Sequence, residues 1–205
     1  MNEQDLVIKY EKIIDDLLQK QYSVVDDFFS SDEVENLRSS LIQKYDEEDF
    51  KKAAIGNQFN EVVVKAIRGD FIYWIDELKA NSEEEMFLDK IQHFTNYLNR
   101  TCFLGIQEKE FHYALYPEGT FYKRHLDTFQ NDDSRKLSIV CYLNDEDWKE
   151  EFGGELVIYK LEEKIAIYPL KGRMVVFESQ ALEHEVKPVK KERLSITGWL
   201  RTRKI

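Results

Sequence analysis

His125, Asp127 and His184 are the residues whose types and spacing best support metal chemistry. His125 and Asp127 are separated by one residue, and an extended strand turns residues i and i+2 to the same face. Leu126, between them, is then expected to point away. A second imidazole comes from His184, 57 positions after Asp127. Two histidines and one carboxylate on one side of a metal form the ligand set of non-haem Fe(II) sites that activate O2.

An arginine on an alternating strand follows nine positions after His184. Its polar or aromatic face carries Arg193, Ser195, Thr197 and Trp199, and its apolar face carries Leu194, Ile196 and Leu200. This period of two is typical of a strand with one face in the core. A guanidinium group offers a planar fork that fits a carboxylate. We therefore expect Arg193 to bind the carboxylate of a ligand, although an ordinary salt bridge is an alternative.

Five phrases, in the same order, resemble those of the Fe(II)- and 2-oxoglutarate-dependent oxygenases. The resemblance is to the prolyl hydroxylase domain class, which includes the oxygen-sensing hydroxylases of hypoxia-inducible factor and their bacterial relatives. The phrases are IRGDFIYWI at 67–75, YPEGTFYKRHLD at 116–127, SIVCYLN at 138–144, FGGELVIY at 152–159 and HEVKPVKKERLSITGW at 184–199. They extend over about the last two thirds of the chain.

The resemblance implies that His125, Asp127 and His184 hold Fe(II), with 2-oxoglutarate as cosubstrate, O2 as oxidant and ascorbate as a candidate reductant. The remote carboxylate of 2-oxoglutarate would pair with Arg193.

Three more residues are matched to the cosubstrate by the resemblance. Tyr142 matches a tyrosine that binds the same carboxylate, Thr197 is a further candidate donor, and Tyr116 matches a tyrosine near the iron. Without the resemblance, Tyr142 would be assigned to the hydrophobic core.

The resemblance also suggests substrate contacts at Tyr122, Trp199, Asp70 and Arg135. Asp70 and Arg135 match a pair that in the relatives ties a mobile loop to the substrate-binding surface. His112 stands where the relatives carry an apolar residue near the pocket. It is expected either to line the active site or to replace packing.

The implied reaction is hydroxylation of a prolyl residue in a protein at C4, with succinate and CO2 as coproducts. In bacterial relatives a translation factor is a candidate partner. Two alternatives stay open on the same scaffold: an oxygenase acting on a free amino acid or another small molecule, and a non-catalytic binding or sensing module. The complete triad and Arg193 disfavour the second. A zinc hydrolase is disfavoured because no general base stands at a fixed short spacing from the ligands.

Composition sets independent bounds on location and partners. The net charge of −11 disfavours nucleic acid, whose binding depends on phosphate neutralisation. No apolar run approaches the roughly 18 residues that a membrane span needs. The N-terminus is acidic and amphipathic, unlike a signal peptide. Two cysteines give no disulfide framework. We therefore expect a cytoplasmic protein.

The order of elements predicts one domain of mainly β structure with flanking helices. Residues 1–104 read as a helical lead-in, with helices over 3–20 and 83–100 and a capping box at Ser30 and Glu33. Strand and loop are predicted over 50–66. Residues 105–205 contain eight short strands at intervals of about ten residues, which indicates a jelly roll, the double-stranded β-helix of the family.

Overall fold

The computed structural model describes residues 3–47, 49–52, 67–128 and 133–203. Within these ranges lie three helices, α1 (Glu3–Lys20), α2 (Ser31–Asp46) and α3 (Ser82–Cys102). The strands there are β1 (Tyr22–Val25), β2 (Lys51–Lys52), β3 (Phe71–Trp74), β4 (Glu108–Tyr116), β5 (Tyr122–His125), β6 (Arg135–Tyr142), β7 (Leu156–Lys160), β8 (Glu163–Ile167), β9 (Met174–Glu178), β10 (Glu183–Val186) and β11 (Arg193–Arg201). The predicted strand and loop over 50–66 lies, from residue 53 onward, outside the described residues.

The strands form two antiparallel sheets. One has seven strands in the order β1-β9-β6-β11-β4-β3-β2, and the other has four in the order β5-β10-β7-β8. The eight strands β4 to β11 divide equally between the two sheets, as in a jelly roll. The predicted double-stranded β-helix with flanking helices is therefore confirmed.

Three of the eight strands end at a proline-containing connection or at a bend beside the site. β8 ends at Ile167 and β10 at Val186, each two residues before a proline. Proline has no N–H to donate to a strand ladder, so Pro169 and Pro188 lie in the connections. β5 ends at His125, and the chain bends as it reaches Asp127.

The larger sheet has two chemically different faces, as β11 predicted. Leu194, Ile196 and Leu200 belong to the main hydrophobic core together with residues of α1, α2 and α3. The opposite face of β11 points toward the smaller sheet, and Arg193 and Thr197 line a cavity there. The helices therefore support the sheet from outside and leave its inner face free for polar side chains.

Two helices begin with reciprocal caps. Ser30 Oγ accepts from the backbone N–H of Glu33, and Glu33 accepts in turn from the N–H of Ser30 at 2.7 Å, which confirms the predicted capping box of α2. Asn81 and Glu84 form a second capping box on α3. The apolar side of α3 is buried as predicted at Phe87, Ile91, Phe94 and Leu98, with Met86 half-buried. Phe87 meets Phe111 of β4 edge to face, which fixes α3 on the larger sheet.

Membrane insertion can be assessed for the described helices. None of them combines the length and the apolar content needed to cross a bilayer.

Candidate active site

A cavity of about 490 Å³ lies between the inner faces of the two sheets. Its walls include Tyr116, Tyr122, His125, Asp127, Arg135, His184, Arg193, Thr197 and Trp199. Most of the residues selected from the sequence therefore face one space. Two of them lie just outside its walls. Tyr142 packs against Arg193, and Asp70 accepts a hydrogen bond from Arg68, which lines the cavity.

The two histidines and the aspartate converge at one side of this cavity. His125 at the end of β5 is directly opposite His184 on β10, and Asp127 follows two residues beyond the strand. His125 Nε2 lies 3.4 Å from Asp127 Oδ1, and His184 Nε2 lies 3.5 Å from Asp127 Oδ2. One potential ligand atom of each residue lies within 4.8 Å of the others. Leu126, which the sequence placed on the opposite side, is 40% exposed but also lines the cavity.

Both imidazoles are oriented by backbone carbonyl groups. Nδ1 of His125 lies 2.7 Å from the carbonyl oxygen of Lys123, and Nδ1 of His184 lies 3.1 Å from that of Leu182. A carbonyl oxygen only accepts, so each Nδ1 carries the proton and donates. In the neutral form of each ring, Nε2 then presents a lone pair toward Asp127, which is the tautomer that a metal ligand needs.

The carboxylate between the imidazoles is buried and oriented. Ser138 on β6 donates from Oγ to Asp127 Oδ2 at 2.7 Å, and Ser138 Oγ also lies 2.9 Å from Ser179 Oγ. Burial acts to raise the pKa of Asp127, but His184, His125 and Ser138 outweigh it and hold that pKa well below its usual range. Burial lowers the pKa of His184 to about 4. Near neutral pH the group therefore offers a carboxylate and a neutral imidazole, which suits a divalent metal.

The donor set fits Fe(II). Two imidazole nitrogens and one carboxylate oxygen on one side leave other coordination positions facing the cavity, as in the sites of iron oxygenases. Ser138 and the two backbone carbonyls supply the outer hydrogen bonds that such ligands require.

Arg193 is a buried cation with no carboxylate partner among the described residues. Its side chain is 2% exposed, and its guanidinium carbon lies 4.9 Å from the ring centres of both Tyr116 and Tyr142. Nη1 donates to Ser195 Oγ at 3.4 Å, whereas Nε and the hydroxyl of Tyr142 have no partner among the described residues. Burial raises the pKa of Tyr142, so its hydroxyl stays protonated. Arg193 and Tyr142 therefore hold donors ready for a carboxylate from outside the chain.

An aromatic cluster lines another part of the cavity. His112 on β4 lies opposite Trp74 of β3 and Thr197 of β11, and its ring is 4.8 Å from Trp74 and 5.6 Å from Trp199. The guanidinium carbon of Arg135 lies 3.6 Å from the ring centre of Trp199. His112 thus lines the cavity, which was one of the two alternatives that the sequence left open.

Asp70 and Arg135, which the sequence matched to a pair that ties a mobile loop in the relatives, contact different partners among the described residues. Both carboxylate oxygens of Asp70 instead accept from Arg68, at 2.8 Å from Nε and 2.6 Å from Nη2. Arg135 pairs with Glu110 at 2.8 Å and donates to the carbonyl oxygen of Asp127 at 3.1 Å. Arg68 lies two residues from Asp70 and reaches it without crossing the cavity, which explains the exchange of partners.

Sequence reasoning missed Ser138 and Arg68. Ser138 opens the phrase SIVCYLN and Arg68 stands inside IRGDFIYWI, so both lay within the matched segments. A small polar residue on the inner face of β6, between apolar neighbours, was the available signal for Ser138. For Arg68 the signal was its spacing from Asp70.

Comparison with known proteins places this geometry in a family. The model of the 2OG-Fe(II) oxygenase superfamily matches residues 111–201, which contain most of β4 and the whole of β5 to β11. A prolyl 4-hydroxylase of Pseudomonas putida is 36% identical, with a TM-score of 0.85 over 95% of this chain and 100% of that one.

Two animal proteins are also similar. A prolyl hydroxylase from Trichoplax adhaerens, solved with an oxygen degradation domain peptide of hypoxia inducible factor, is 26% identical with a TM-score of 0.87, covering 97% of this chain and 91% of that one. A hypoxia-inducible factor prolyl hydroxylase of Caenorhabditis elegans is 29% identical over 204 residues. That match covers 92% of this chain but spans only 28% of the length of the worm protein.

The Pseudomonas match covers the whole of that chain at 36% identity, so the two proteins share sequence as well as fold. The class defined here is the 2OG-Fe(II) oxygenases, which require Fe(II), 2-oxoglutarate and O2. Within that class the chain belongs to the prolyl 4-hydroxylase-like family of 2-oxoglutarate-dependent dioxygenases.

Proposed function

We propose that this chain hydroxylates a prolyl residue of a protein substrate at C4, with conversion of 2-oxoglutarate to succinate and CO2. The observation that carries the proposal is the buried Arg193, which has no carboxylate partner in the part of the chain that the structure describes and lines the same cavity as His125, Asp127 and His184. A dicarboxylate that reaches a metal with one end and an arginine with the other satisfies both features. The similarity to prolyl hydroxylases supports proline as the target.

Each residue has a defined task in this reaction. His125, Asp127 and His184 would hold Fe(II), which together with 2-oxoglutarate and O2 supplies the oxidising chemistry for a C–H bond. Arg193 and Tyr142 would bind the remote carboxylate of 2-oxoglutarate, so that its other end is oriented toward the triad.

Two further groups of side chains complete the task. Thr197 and Tyr116 line the same space as the triad and can donate to the cosubstrate. Val140, Leu156, Phe177 and Val186 add apolar walls, which exclude water from the reacting groups.

The substrate end of the cavity is aromatic. Arg135 lies over the ring of Trp199, and the ring of Tyr122 lies against His125, so both rings are held in the wall of the cavity that contains the proposed metal site. A pyrrolidine ring is compact and apolar and has no N–H once it is part of a peptide, which suits a pocket walled by aromatic faces. Trp199 would limit the size of the oxidised side chain.

A cytoplasmic protein with an accessible proline is the proposed partner, and a translation factor is the first candidate. Ascorbate is the proposed auxiliary reductant. The cytoplasm keeps thiols reduced, which agrees with the free thiols of Cys102 and Cys141 in the described chain.

The test uses the purified protein, loaded anaerobically with Fe(II) and 2-oxoglutarate and then exposed to 18O2 in the presence of a cell extract. We expect one labelled oxygen on proline of a specific protein, with amino-acid analysis giving 4-hydroxyproline. Asp127→Ala is the matched inactive control. Labelling of no protein, together with succinate formation driven by free L-proline, would replace the protein substrate with a small molecule.

A further inference from the structure

Arg68, Tyr122 and His125 form a continuous stack at the mouth of the cavity. The ring centres of Tyr122 and His125 are 3.7 Å apart, with 19° between the ring planes. The guanidinium carbon of Arg68 covers the Tyr122 ring at 4.3 Å from its centre. This distance lies well inside the range of about 6 Å for cation–π attraction. The Tyr122 ring therefore lies between a fixed cation and an imidazole.

Asp70 fixes the cation at the end of this stack. Its two carboxylate oxygens accept from Nε and Nη2 of Arg68 in a bidentate pair, and Asp70 is 1% exposed. Such a fork holds the guanidinium plane as well as its position. Both oxygens of the buried Asp70 accept hydrogen bonds from Arg68. This bidentate pair therefore restricts the motion of the Arg68 side chain.

The backbone that carries Arg68 is attached directly to β5. Gly69 donates its N–H to the carbonyl oxygen of Phe121 at 3.1 Å, and Lys123 donates to that of Ile67 at 2.8 Å. A Cβ on Gly69 would lie 2.9 Å from the Cβ of Thr120, so this close approach requires glycine. The segment from Ile67 to Gly69 is thus an added edge on the smaller sheet, at the strand that ends in His125.

An irregularity in β5 brings Tyr122 and His125 together. His184 stands opposite His125 and Val186 opposite Tyr122, so three residue steps on β5 match two on β10. In a regular strand, residues at i and i+3 point to opposite faces. The extra residue moves Tyr122 to the side of the sheet that His125 occupies, and irregularities of this kind often re-aim side chains beside active sites.

The two histidines differ in how they are held. His184 is buried, and Phe177 of the larger sheet packs against its ring at 4.6 Å. The side chain of His125 is 19% exposed, and Tyr122 is the ring that lies parallel to its face. The carbonyl oxygen of Lys123 anchors one nitrogen of His125 but leaves the plane of the ring free to tilt. The Tyr122 stack removes that freedom.

We infer that Arg68 and Asp70 are positioning residues that act through Tyr122 to hold the His125 imidazole in its metal-binding orientation. The inference rests on the metal triad of the proposed function. It gives Asp70 a task other than a contact with Arg135, and it gives Tyr122 a task besides contact with substrate. Outer groups that orient a metal-binding imidazole typically change metal affinity by 10- to 100-fold.

The experiment measures metal affinity directly, without turnover. Metal-free protein is titrated with Co(II) under argon, and the visible absorption of Co(II) reports both binding and ligand geometry. We expect Arg68→Met and Tyr122→Leu each to weaken Co(II) binding about tenfold and to change the absorption spectrum. Tyr122→Phe keeps the ring and should retain the wild-type spectrum, and Arg68→Lys should restore part of the affinity.

A double variant separates action through Tyr122 from a general loss of structure. If Arg68 acts through Tyr122, the variant carrying both Arg68→Met and Tyr122→Leu binds Co(II) no more weakly than Tyr122→Leu alone. Additive losses, or wild-type affinity in both single variants, would overturn the inference. Arg124→Met is the matched control, because Arg124 precedes His125 but contacts Glu183 and Tyr159 outside the cavity.

Folding of the variants and Co(II) binding by the wild-type protein are the remaining controls. Thermal unfolding of the metal-free variants checks folding; if Arg68→Met does not fold, Asp70→Asn takes its place, and wild-type Co(II) affinity in Asp70→Asn would count against the inference. Failure of the wild-type protein to bind Co(II) would overturn the proposed metal site itself. That result is distinct from failure of the positioning role, which appears only as a difference between variants.

Discussion

The guanidinium carbon of Arg193 lies 4.9 Å from the centre of the Tyr142 ring, and Arg193 Nε and the Tyr142 hydroxyl are both buried without a partner among the described residues. A buried, unpaired donor lowers stability by about 1–3 kcal/mol, and more when it is charged. Unpaired donors of this kind are tolerated in a folded protein when a ligand accepts their hydrogen bonds during function. The pair is therefore best understood as half of a binding site.

Replacement of either member of this pair should weaken binding of 2-oxoglutarate specifically. A hydrogen bond to a charged group contributes about 1.5–3 kcal/mol, so we expect Arg193→Met to raise the dissociation constant of 2-oxoglutarate about 10- to 100-fold. Tyr142→Phe should raise it by about tenfold. The measurement is an anaerobic titration of the Fe(II) protein, followed by the charge-transfer absorption of the bound 2-oxo acid.

Arg173→Met supplies the control for these variants. Arg173 is a partly buried arginine too, but it already has a carboxylate partner, Asp26, on the outside of the molecule. Its removal should leave the affinity for 2-oxoglutarate unchanged. Equal affinity in Arg193→Met and wild type would remove the assignment of Arg193 to the cosubstrate.

Gly154→Ala should disturb the same site through packing. A Cβ at Gly154 would lie 2.7 Å from Val189 Cγ1 and 3.1 Å from Arg193 Cδ. We expect the added methyl group to displace Arg193 and raise the KM for 2-oxoglutarate about tenfold. The positive φ of +68° adds a backbone cost of about 1 kcal/mol.

Gly172→Ala separates these two effects. Gly172 has a φ of +72°, and its added Cβ would meet Val34 at an ordinary 3.5 Å. Urea unfolding should show a similar loss of stability in both variants, whereas steady-state kinetics should show the KM change in Gly154→Ala alone. A KM change of the same size in both would mean that strain, and not contact with Arg193, is responsible.

Asp127→Ala should abolish turnover while the protein stays folded. Removal of the carboxylate leaves two imidazoles, which cannot supply the facial set of three ligands. Succinate formation measures turnover, and circular dichroism checks the fold. Asp147→Ala, which removes a surface carboxylate paired with Lys191, should keep full activity. Full activity in Asp127→Ala would remove the triad assignment.

The parts of the site that depend on local patterns could be predicted from the sequence. The spacing of His125 and Asp127 and the alternation that begins at Arg193 follow from the geometry of one strand. These patterns selected residues that face one cavity. The capping box at Ser30 follows from four consecutive residues and was equally predictable.

The parts that depend on register between distant strands could not be predicted. Ser138 donates to Asp127 because the fold brings β6 close to the residues that follow β5. No local sequence pattern predicts that contact. The extra residue in β5 that places Tyr122 beside His125 can be recognised only from the pairing of β5 with β10. The contact of Asp70 with Arg68 and that of Arg135 with Glu110 could not be predicted for the same reason, since they depend on how distant segments are placed.

His112 connects stability to function at this site. Its side chain is 3% exposed, and its Nδ1 is buried without a hydrogen-bond partner in the described chain. Burial, together with the charges of Arg68 and Arg135, lowers the pKa of His112 to about 3 from 6.5. The folded protein therefore keeps this imidazole neutral at pH values where the unfolded chain binds a proton.

This difference in proton binding at His112 makes the stability of the folded protein depend on pH. Below about pH 6.5 the unfolded chain binds one more proton than the folded protein at His112, so stability falls as the pH is lowered from 6.5 toward 3. Between pH 7 and pH 5 the loss from this one group is about 2 kcal/mol. Urea unfolding of metal-free protein at the two pH values measures it.

His112→Met should remove that loss and stabilise the protein at pH 5, because methionine fills a similar volume without a buried polar atom. The same variant should lower turnover of the prolyl substrate, since the cavity loses its neutral hydrogen-bonding group between Trp74 and Trp199. A gain in stability with a loss of activity is the pattern expected when a buried polar group is kept for function. If His112→Met were more stable and fully active, His112 would be a packing residue only.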